Sequence, residues 1–548
     1  MVHERGSTSR DFWKLASRIQ GTSAQLPGSW NSLPTELLVQ ILRDLPVADV
    51  LVCKRVNRTF HTTISASAEI QQKIKCFDAN VIDGRSSPFD LVQRMSRVSA
   101  WADTWRTLQV TGQPMVLRPN ESPWNYRSGS IFSCQTPSNR GISFYHLPSP
   151  QRDILYQQWT IPDLGYEPVF VCHDYTQELV VVATNNDDAF GSCARFHLLH
   201  DKTGDHHHEA SERYLQLPAA IPRVTQEDHD LHIFGELLGL VVHVDDLFDI
   251  TSLVISTHLL IFNWKTGTLL KHLTGDLLSH EIVFVDERHF LIPFAPQTLP
   301  GAYLAVVDCY RRDPDTHDEM LRGAAQEILL KHASLLLQLP PVLPAAHVEY
   351  QIVHAMSSTG TQGTRVRPPG RPFYVDYAPR LIVLSILIGE QMAPADLNPL
   401  TLLVPAPAVL ARLAEAERTP GACAVLPWVA WAADTRAMHE PMEDICAARF
   451  LTSVYVDGRR RVTVWDFASV PALLRDVREP AEGVSVPPPE PLPGEGLTFE
   501  ACGVLTGAPC RRVVSNLEVP RDRTVRLYED GFVVYTQDPR DEVQVYAI

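Results

Sequence analysis

Apolar positions in residues 33–46, LPTELLVQILRDLP, fall on one side of a helix: Leu33, Leu37, Leu38, Ile41, Leu42 and Leu45 recur three to five residues apart. Pro34 suits the first turn, Glu36 complements the positive helix N-terminus, and Pro46 ends the element. In the following stretch, VADVLVCKRVNRTFHTTI, Asp49 can cap a turn ahead of Val50 and Leu51, and Val56, Phe60 and Ile64 step by four along a further helix. The pattern predicts three short helices within about 35 residues. So small a bundle buries little surface, and below roughly 40 residues a fold usually needs metal, disulfides or a partner. The segment carries no metal or disulfide pattern, which leaves a partner as the physical inference.

A second helical pattern follows a turn-rich stretch. In SPFDLVQRMSRVSAWADTWRTLQ, Ser87, Pro88 and Asp90 make a helix start, and Leu91, Met95, Val98, Ala102, Trp105 and Leu108 share one face. Core packing is the expected use of Trp101 and Trp105. From about residue 112 the helical period gives way to short β-branched runs separated by turn clusters. SLVISTHLLIFNWKTGTLLKHL at 252–273 reads as two alternating strands around a Lys-Thr-Gly turn, and ARFHLLHDKTGDHH at 194–207 repeats the idea.

Aligning Leu199-His200, Phe262-Asn263, Val307-Asp308 and Trp465-Asp466 near the end of an outer strand gives intervals of 63, 45 and 158 residues. The first two are near one repeat, and the last corresponds to about three. Four-stranded units at such a period argue a β-propeller, with VTVWDFASVPALL at 462–474 as the outer strand of a WD-type blade. Further strands are expected in 177–184, 236–244, 281–294, 303–310, 379–388, 449–456 and 530–536. The terminal VQVYAI would complete a first blade opened near GISFYHLP at 141–148 and so close the ring. Six to eight blades fit, with seven preferred. A helical insertion is expected within 313–345, and a proline-rich loop at 478–496.

Composition narrows the partners. Lys+Arg 48 against Asp+Glu 64 gives a formal net charge of −16, which sets nucleic acid and anionic membrane aside. The 42 prolines against 28 glycines disfavour long helices. Ten cysteines stand singly with no CxxC pair and read as reduced core thiols. The start has no apolar leader pattern, and the longest apolar run, LIVLSILI at 381–388, is far below the roughly 18 residues of a membrane span. Asn57-Arg58-Thr59 is a glycosylation triplet by chance, inside a helical pattern.

The ordered series in LPTELLVQILRDLPVADVLVCKRVNRTFHTTI resembles the F-box, with its Leu-Pro opening, paired leucines, Ile-Leu pair, second Leu-Pro and basic Val-x-x-x-Phe helix. The resemblance covers residues 33 to about 74. It implies docking on a Skp-type adaptor through Leu33, Pro34, Leu37, Leu38, Ile41, Leu42, Leu45, Pro46, Val50, Leu51, Val56 and Phe60. Many relatives have cysteine and tryptophan in the third helix where this chain has Asn57 and Phe60. The whole layout, with its Asn-Trp-Lys-Thr-Gly blade end, resembles fungal F-box proteins with irregular propellers. The expected fold is α+β and multidomain: a flexible terminus at 1–28, a three-helix F-box bundle at 29–76, a bridging linker at 77–111 and a mainly-β propeller at 112–548.

Catalytic chemistry is harder to find. Asp205-His206-His207-His208-Glu209 is the one dense run of metal-capable side chains, but consecutive histidines point in different directions, and no metal or cofactor site is assigned. No GxSxG, Walker A, Rossmann or HExxH pattern occurs, and Asp187-Asp188 and Asp245-Asp246 read as turn formers. The expectation is a non-enzymatic substrate receptor of a Skp/cullin/F-box ubiquitin ligase in the cytoplasm or nucleus, its propeller binding a protein substrate. The alternatives are an adaptor-bound scaffold outside ubiquitylation and a propeller enzyme with a helical appendage.

Overall fold

The computed structural model describes residues 33–547 except 111–112, 118–122, 137, 189–190, 219–220, 222–228, 246–254, 275–281, 295–300, 312–320, 325–328, 331–332, 341–348, 358–369, 379, 390–399, 419–423, 439–443, 457, 468–483, 486–489, 492–504, 507–509 and 537–541. Its contacts divide into two units, residues 1–100 with 370–374, and residues 101–369 with 375–548.

The first unit is helical. Helices α1 (Thr35–Asp44), α2 (Val47–Val56), α3 (Arg58–Ala66) and α4 (Ala68–Asp78) follow one another with barely a residue between them. Three of them lie within 35–66, as the spacing predicts, and a fourth completes the bundle. Val56 and Phe60 do not share a helix. The Asn57 side chain accepts the Phe60 N–H at 2.8 Å, capping α3 and breaking the run between them. Asp49 is not a cap either; it sits in the first turn of α2, which starts after Pro46. Leu42, Val47, Val50, Ile64, Ile70 and Ile74 form the core. Lys73 of α4 donates to the carbonyls of Arg43, at 2.6 Å, and Leu45, satisfying acceptors left over where α1 ends.

Helix α5 (Leu91–Thr107) begins with a reciprocal capping box: Gln93 N–H donates to Asp90 Oδ1 at 2.8 Å, and Asp90 N–H to Gln93 Oε1 at 3.1 Å. Its residues from Trp101 onward count with the second unit. There Trp101 and Trp105 are buried edge to face, and the Arg449 guanidinium lies 4.7 Å and 4.2 Å from their ring centres.

The second unit is a seven-bladed propeller. Blade one is Pro123–Ser128, Ile131–Gln135, Ile142–His146 and Gln157–Ile161; blade two is Phe170–Asp174, Leu179–Asp188, Gly191–His200 and Tyr214–Gln216. Blade three runs His229–Phe234, Leu237–Asp245, Ile255–Asn263 and Thr268–Thr274; blade four, Val283–Phe284, His289–Phe294, Tyr303–Asp308 and Leu335–Gln338. Blade five is Glu349–Ser357, Leu381–Gly389, Leu400–Pro405 and Arg436–Met438; blade six, Asp444–Cys446, Arg449–Val456, Arg459–Asp466 and Arg511–Glu518. Blade seven takes Thr524–Tyr528, Gly531–Tyr535 and Val543–Ala547 from the end of the chain and Met115–Leu117 from before blade one. Apolar clusters lie between neighbouring blades, which is why most strands are buried on both faces.

Several details differ from expectation. VQVYAI does close the ring, but against Met115–Leu117; Ile142–His146 is an interior strand of blade one, paired on both sides. The aligned pairs ending in His200, Asn263, Asp308 and Asp466 terminate third strands, not outer ones. The interval of 158 residues spans two blades rather than three, because blade five carries long insertions that include the helix Ala406–Glu417. In 313–345 the described residues are mainly extended: Leu321–Ala324 joins blade three in parallel and Leu335–Gln338 is the fourth strand of blade four, with Ala424–Leu426 paired outside it. Asp187 and Asp188 end a strand, opposite Ser192 and Gly191. Of the loop at 478–496, only Val484–Ser485 and Glu490–Pro491 lie among the described residues.

A repeated turn explains the Lys-Thr-Gly echo. In blade three, Asn263 Oδ1 accepts the N–H groups of Lys265 and Thr266, Gly267 takes φ +71°, and Lys265 and Asn263 both reach Glu236 at the start of the second strand. Blade two has His200 Nδ1 accepting from Lys202 N–H, Gly204 at φ +74°, and Lys202 Nζ 3.1 Å from Glu178. The end of the third strand is thereby tied to the start of the second.

Candidate docking surface of the helical unit

The amphipathic stripe of α1 divides in two. Leu38 and Leu42 are buried, as is Val50 of α2, so these three hold the bundle together. Leu37 and Ile41, one helical turn apart, are 47% and 38% exposed; Val52 and Val56 repeat the arrangement on α2 at 50% and 58%. Pro34 and Pro46 are exposed as well, and Leu33, Leu45, Leu51 and Phe60 are half-buried. Of the twelve positions drawn from sequence, nine thus keep surface and three do not. Val52 was not among them, although the four-residue step to Val56 is visible in the sequence. Four exposed apolar side chains on two consecutive helices are many for so small a unit.

The same unit tests the meaning of Asn57. Its carboxamide is spent on the α3 cap, and Asn57→Ala is expected to lower the unit's stability by about 1 kcal/mol in a denaturant titration. Asn57→Asp, which keeps the acceptor, should lose far less.

In the propeller, the most concentrated polar chemistry is a cluster that sequence reading missed. Arg152, Glu529 and Asp530 are all buried, with Arg152 Nη1 2.5 Å from Glu529 Oε2 and 2.8 Å from Asp530 Oδ2. Ser130 donates to Glu529 at 2.6 Å, Tyr377 at 2.7 Å and Tyr175 at 3.1 Å; Trp101 Nε1 donates to Asp530 at 3.0 Å. Burial by itself would push the Glu529 carboxyl up, but the Arg152 charge and these hydrogen bonds outweigh it and hold it at about 2. Asp530 is raised, by burial foremost, with the Glu529 charge adding to it against Arg152. Every carboxylate oxygen of the pair already has a protein donor, so the cluster is built to hold connections of blades one, two, five and seven together rather than to meet a substrate.

The histidine run at 205–209 does not converge on a point. His207 is buried and its Nε2 lies 2.9 Å from the Gln177 carbonyl, His206 reaches the Ala210 carbonyl at 3.0 Å, and Glu209 pairs with Lys265 at 2.8 Å. Of the cysteines whose side chains are described, Cys76, Cys134, Cys172, Cys309, Cys446 and Cys510 are buried and Cys53 is half-buried, all as free thiols. Burial pushes the Cys76 thiol up to about 12. Among the described residues, no helix is long and apolar enough to cross a membrane.

Comparison with known families decides the helical unit. Residues 30–69 match the F-box-like family model. This segment is an F-box-like domain. It spans all of α1, α2 and α3 and ends just inside α4, so the exposed pairs Leu37/Ile41 and Val52/Val56 belong to the F-box-like domain itself. No curated protein matches the chain. Among solved structures, the tricorn protease aligns over 79% of this chain and 43% of its own, at 9% identity and a TM-score of 0.20. Fructan 1-exohydrolase IIa from Cichorium intybus, in complex with 1-kestose, aligns over 80% of this chain and 90% of its own, at 10% identity and a TM-score of 0.15. This chain spans less than half the length of the tricorn protease, and scores this low carry no inference about activity. An F-box-like domain followed by a seven-bladed propeller points to an adaptor or receptor rather than an enzyme.

Proposed function

We propose that this chain is the substrate-recognition subunit of a Skp/cullin/F-box ubiquitin ligase. The F-box-like domain docks on a Skp-type adaptor, the adaptor brings a cullin, and the propeller binds a protein substrate in the cytoplasm or nucleus. The chain contributes proximity and no covalent step. The observation that carries this reading is the exposure of the apolar pairs Leu37/Ile41 and Val52/Val56 on a domain whose core is already closed by Leu42, Val50, Ile64 and Ile70. Leu33, Pro34, Leu45, Pro46, Leu51 and Phe60 extend it, and Leu38, Leu42 and Val50 act by holding the helices in place.

Burial places the test. Leu37→Asp with Ile41→Asp changes exposed side chains only, so the melting temperature should stay within the small range of surface substitutions. Losing the apolar area still exposed on these two residues, roughly half of 1.5–3 kcal/mol each, and placing two carboxylates in the contact should abolish copurification with a co-expressed Skp-type adaptor. Undiminished capture of the adaptor by this folded variant would sink the proposal. Adaptor capture without a cullin, by the unmodified chain, would instead favour a scaffold working outside ubiquitylation.

A further inference from the structure

Blade two carries the turn of blade three with its chemistry changed. Where blade three has Asn263 and Trp264, blade two has His200 and Asp201, while the acidic and lysine partners, Glu236 and Lys265, recur as Glu178 and Lys202. The substitution brings together three metal-capable side chains: one ligand atom from each of Glu178, His200 and Asp201 lies within 4.8 Å of the other two. Ligands bonded at roughly 2.0–2.2 Å to one zinc ion stand about 3–4 Å apart, so small side-chain rotations close the set.

A second observation points to a cation. Asp201 is buried, its side chain only 4% exposed; its Oδ2 lies 3.2 Å from His173 Nε2, and its Oδ1 has no hydrogen-bond donor. Facing that oxygen at 3.6 Å is His200 Nδ1, which carries no proton because its one lone pair accepts the Lys202 N–H, a bond that a cation on this nitrogen would replace. Two electron-rich atoms are thus opposed with no proton between them, an arrangement that a bound cation relieves. His173 stands where an outer partner of a ligating carboxylate stands in metal sites, and Trp159 fixes the Asp201 backbone by donating to its carbonyl at 2.8 Å. Lys202 supplies the present countercharge to Glu178; its side chain is 61% exposed and can swing away.

We propose that Glu178, His200 and Asp201 bind a divalent d-block cation of the zinc class. The mixed imidazole and carboxylate set suits zinc, nickel or iron rather than calcium or magnesium. The ion would tie the Asp174–Glu178 turn to the end of the third strand, the junction that Asn263 and Lys265 hold through Glu236 in blade three.

The test is calorimetric titration of the full chain, first stripped with a chelator, with zinc chloride. One saturable site is expected. His200→Asn installs the residue that blade three uses at this position, keeping an acceptor for the turn while removing the ligand, and should abolish that site without unfolding the chain. His173→Ala should weaken binding by about 10–100-fold, as loss of an outer partner does. Lys202→Met should tighten it, because the competing ammonium is gone. His206→Ala with His208→Ala should leave it unchanged. The proposal is overturned if the unmodified chain shows no saturable site, if His200→Asn binds zinc as well as the unmodified chain, or if only the His206/His208 variant loses binding, which would mark an adventitious ion only.

Discussion

Arg152→Met is expected to destabilise the propeller by roughly 3–5 kcal/mol, a large part of the 5–15 kcal/mol that holds a typical domain folded. The side chain it removes is the cation facing two fully buried carboxylates, Glu529 and Asp530. Methionine fills much of the same space but leaves both charges without a partner in a water-excluded site, and the hydroxyls of Ser130, Tyr175 and Tyr377 cannot replace a full positive charge. The control separates lost charge from lost packing. Combining Arg152→Met with Glu529→Gln and Asp530→Asn removes all three charges and should recover a large share of the loss, since a neutral replacement of a buried ion cluster is often well tolerated. Denaturant titration followed by tryptophan fluorescence suits the measurement, as Trp101 donates directly to Asp530. A single variant within about 0.5 kcal/mol of the unmodified chain would show that the cluster is not needed for the fold.

That cluster also marks where sequence reading runs out. The F-box-like helices were legible because their information is local, leucines at helical spacing and prolines at the boundaries, whereas the Asn57 cap that separates Val56 from Phe60 was missed. The strands were legible for the same reason, and the aligned pairs at His200, Asn263, Asp308 and Asp466 do occupy equivalent positions in their blades. What failed was the assignment of those positions to the outer strand and the choice of partner for VQVYAI. The second depends on a pairing between residues more than 400 positions apart, and the first on a fourth strand that follows the third at irregular distances; alternation of apolar and polar residues encodes neither. Arg152 and Glu529 are 377 residues apart, and in the sequence Glu529-Asp530-Gly531 is an ordinary turn. Gly531 does carry a signal: a Cβ there would lie 2.0 Å from the Tyr546 carbonyl oxygen, so only glycine permits the last two strands to pair. Glu178, His200 and Asp201 were invisible for a further reason. The conspicuous histidines were those at 206–208, and only the fold shows that they turn elsewhere while His200 faces two carboxylates.

Ring closure gives the second large effect. Met115–Leu117 is the fourth strand of a blade whose other three come from the last 25 residues of the chain, and it is joined to them by hydrogen bonds and by the packing of Met115 and Leu117 on the blade's apolar cluster, with no direct chain connection. A chain beginning at residue 118 exposes the edge of Val543–Ala547, an invitation to pair with another molecule, and should aggregate on expression. Beginning at 112 restores the closing strand but omits Trp101 and Trp105, leaving Asp530 without its indole donor and Arg449 without its aromatic faces. Each lost tryptophan is comparable to a truncation costing about 3–5 kcal/mol, so this chain should fold only marginally. Beginning at 90 retains the capping box and the whole of α5, and should give the most stable propeller of the three. All three lack the same helical partner for residues 370–374, so the comparison separates the closing strand from α5 and the residues after it, whose Leu108 and Val110 also bond to Ser515 and Asn516. Thermal melts and size-exclusion profiles should rank them 90, then 112, then 118. Equal melting temperatures for the chains starting at 90 and 118 would mean that the ring holds without its closing strand, and that the six other inter-blade interfaces suffice.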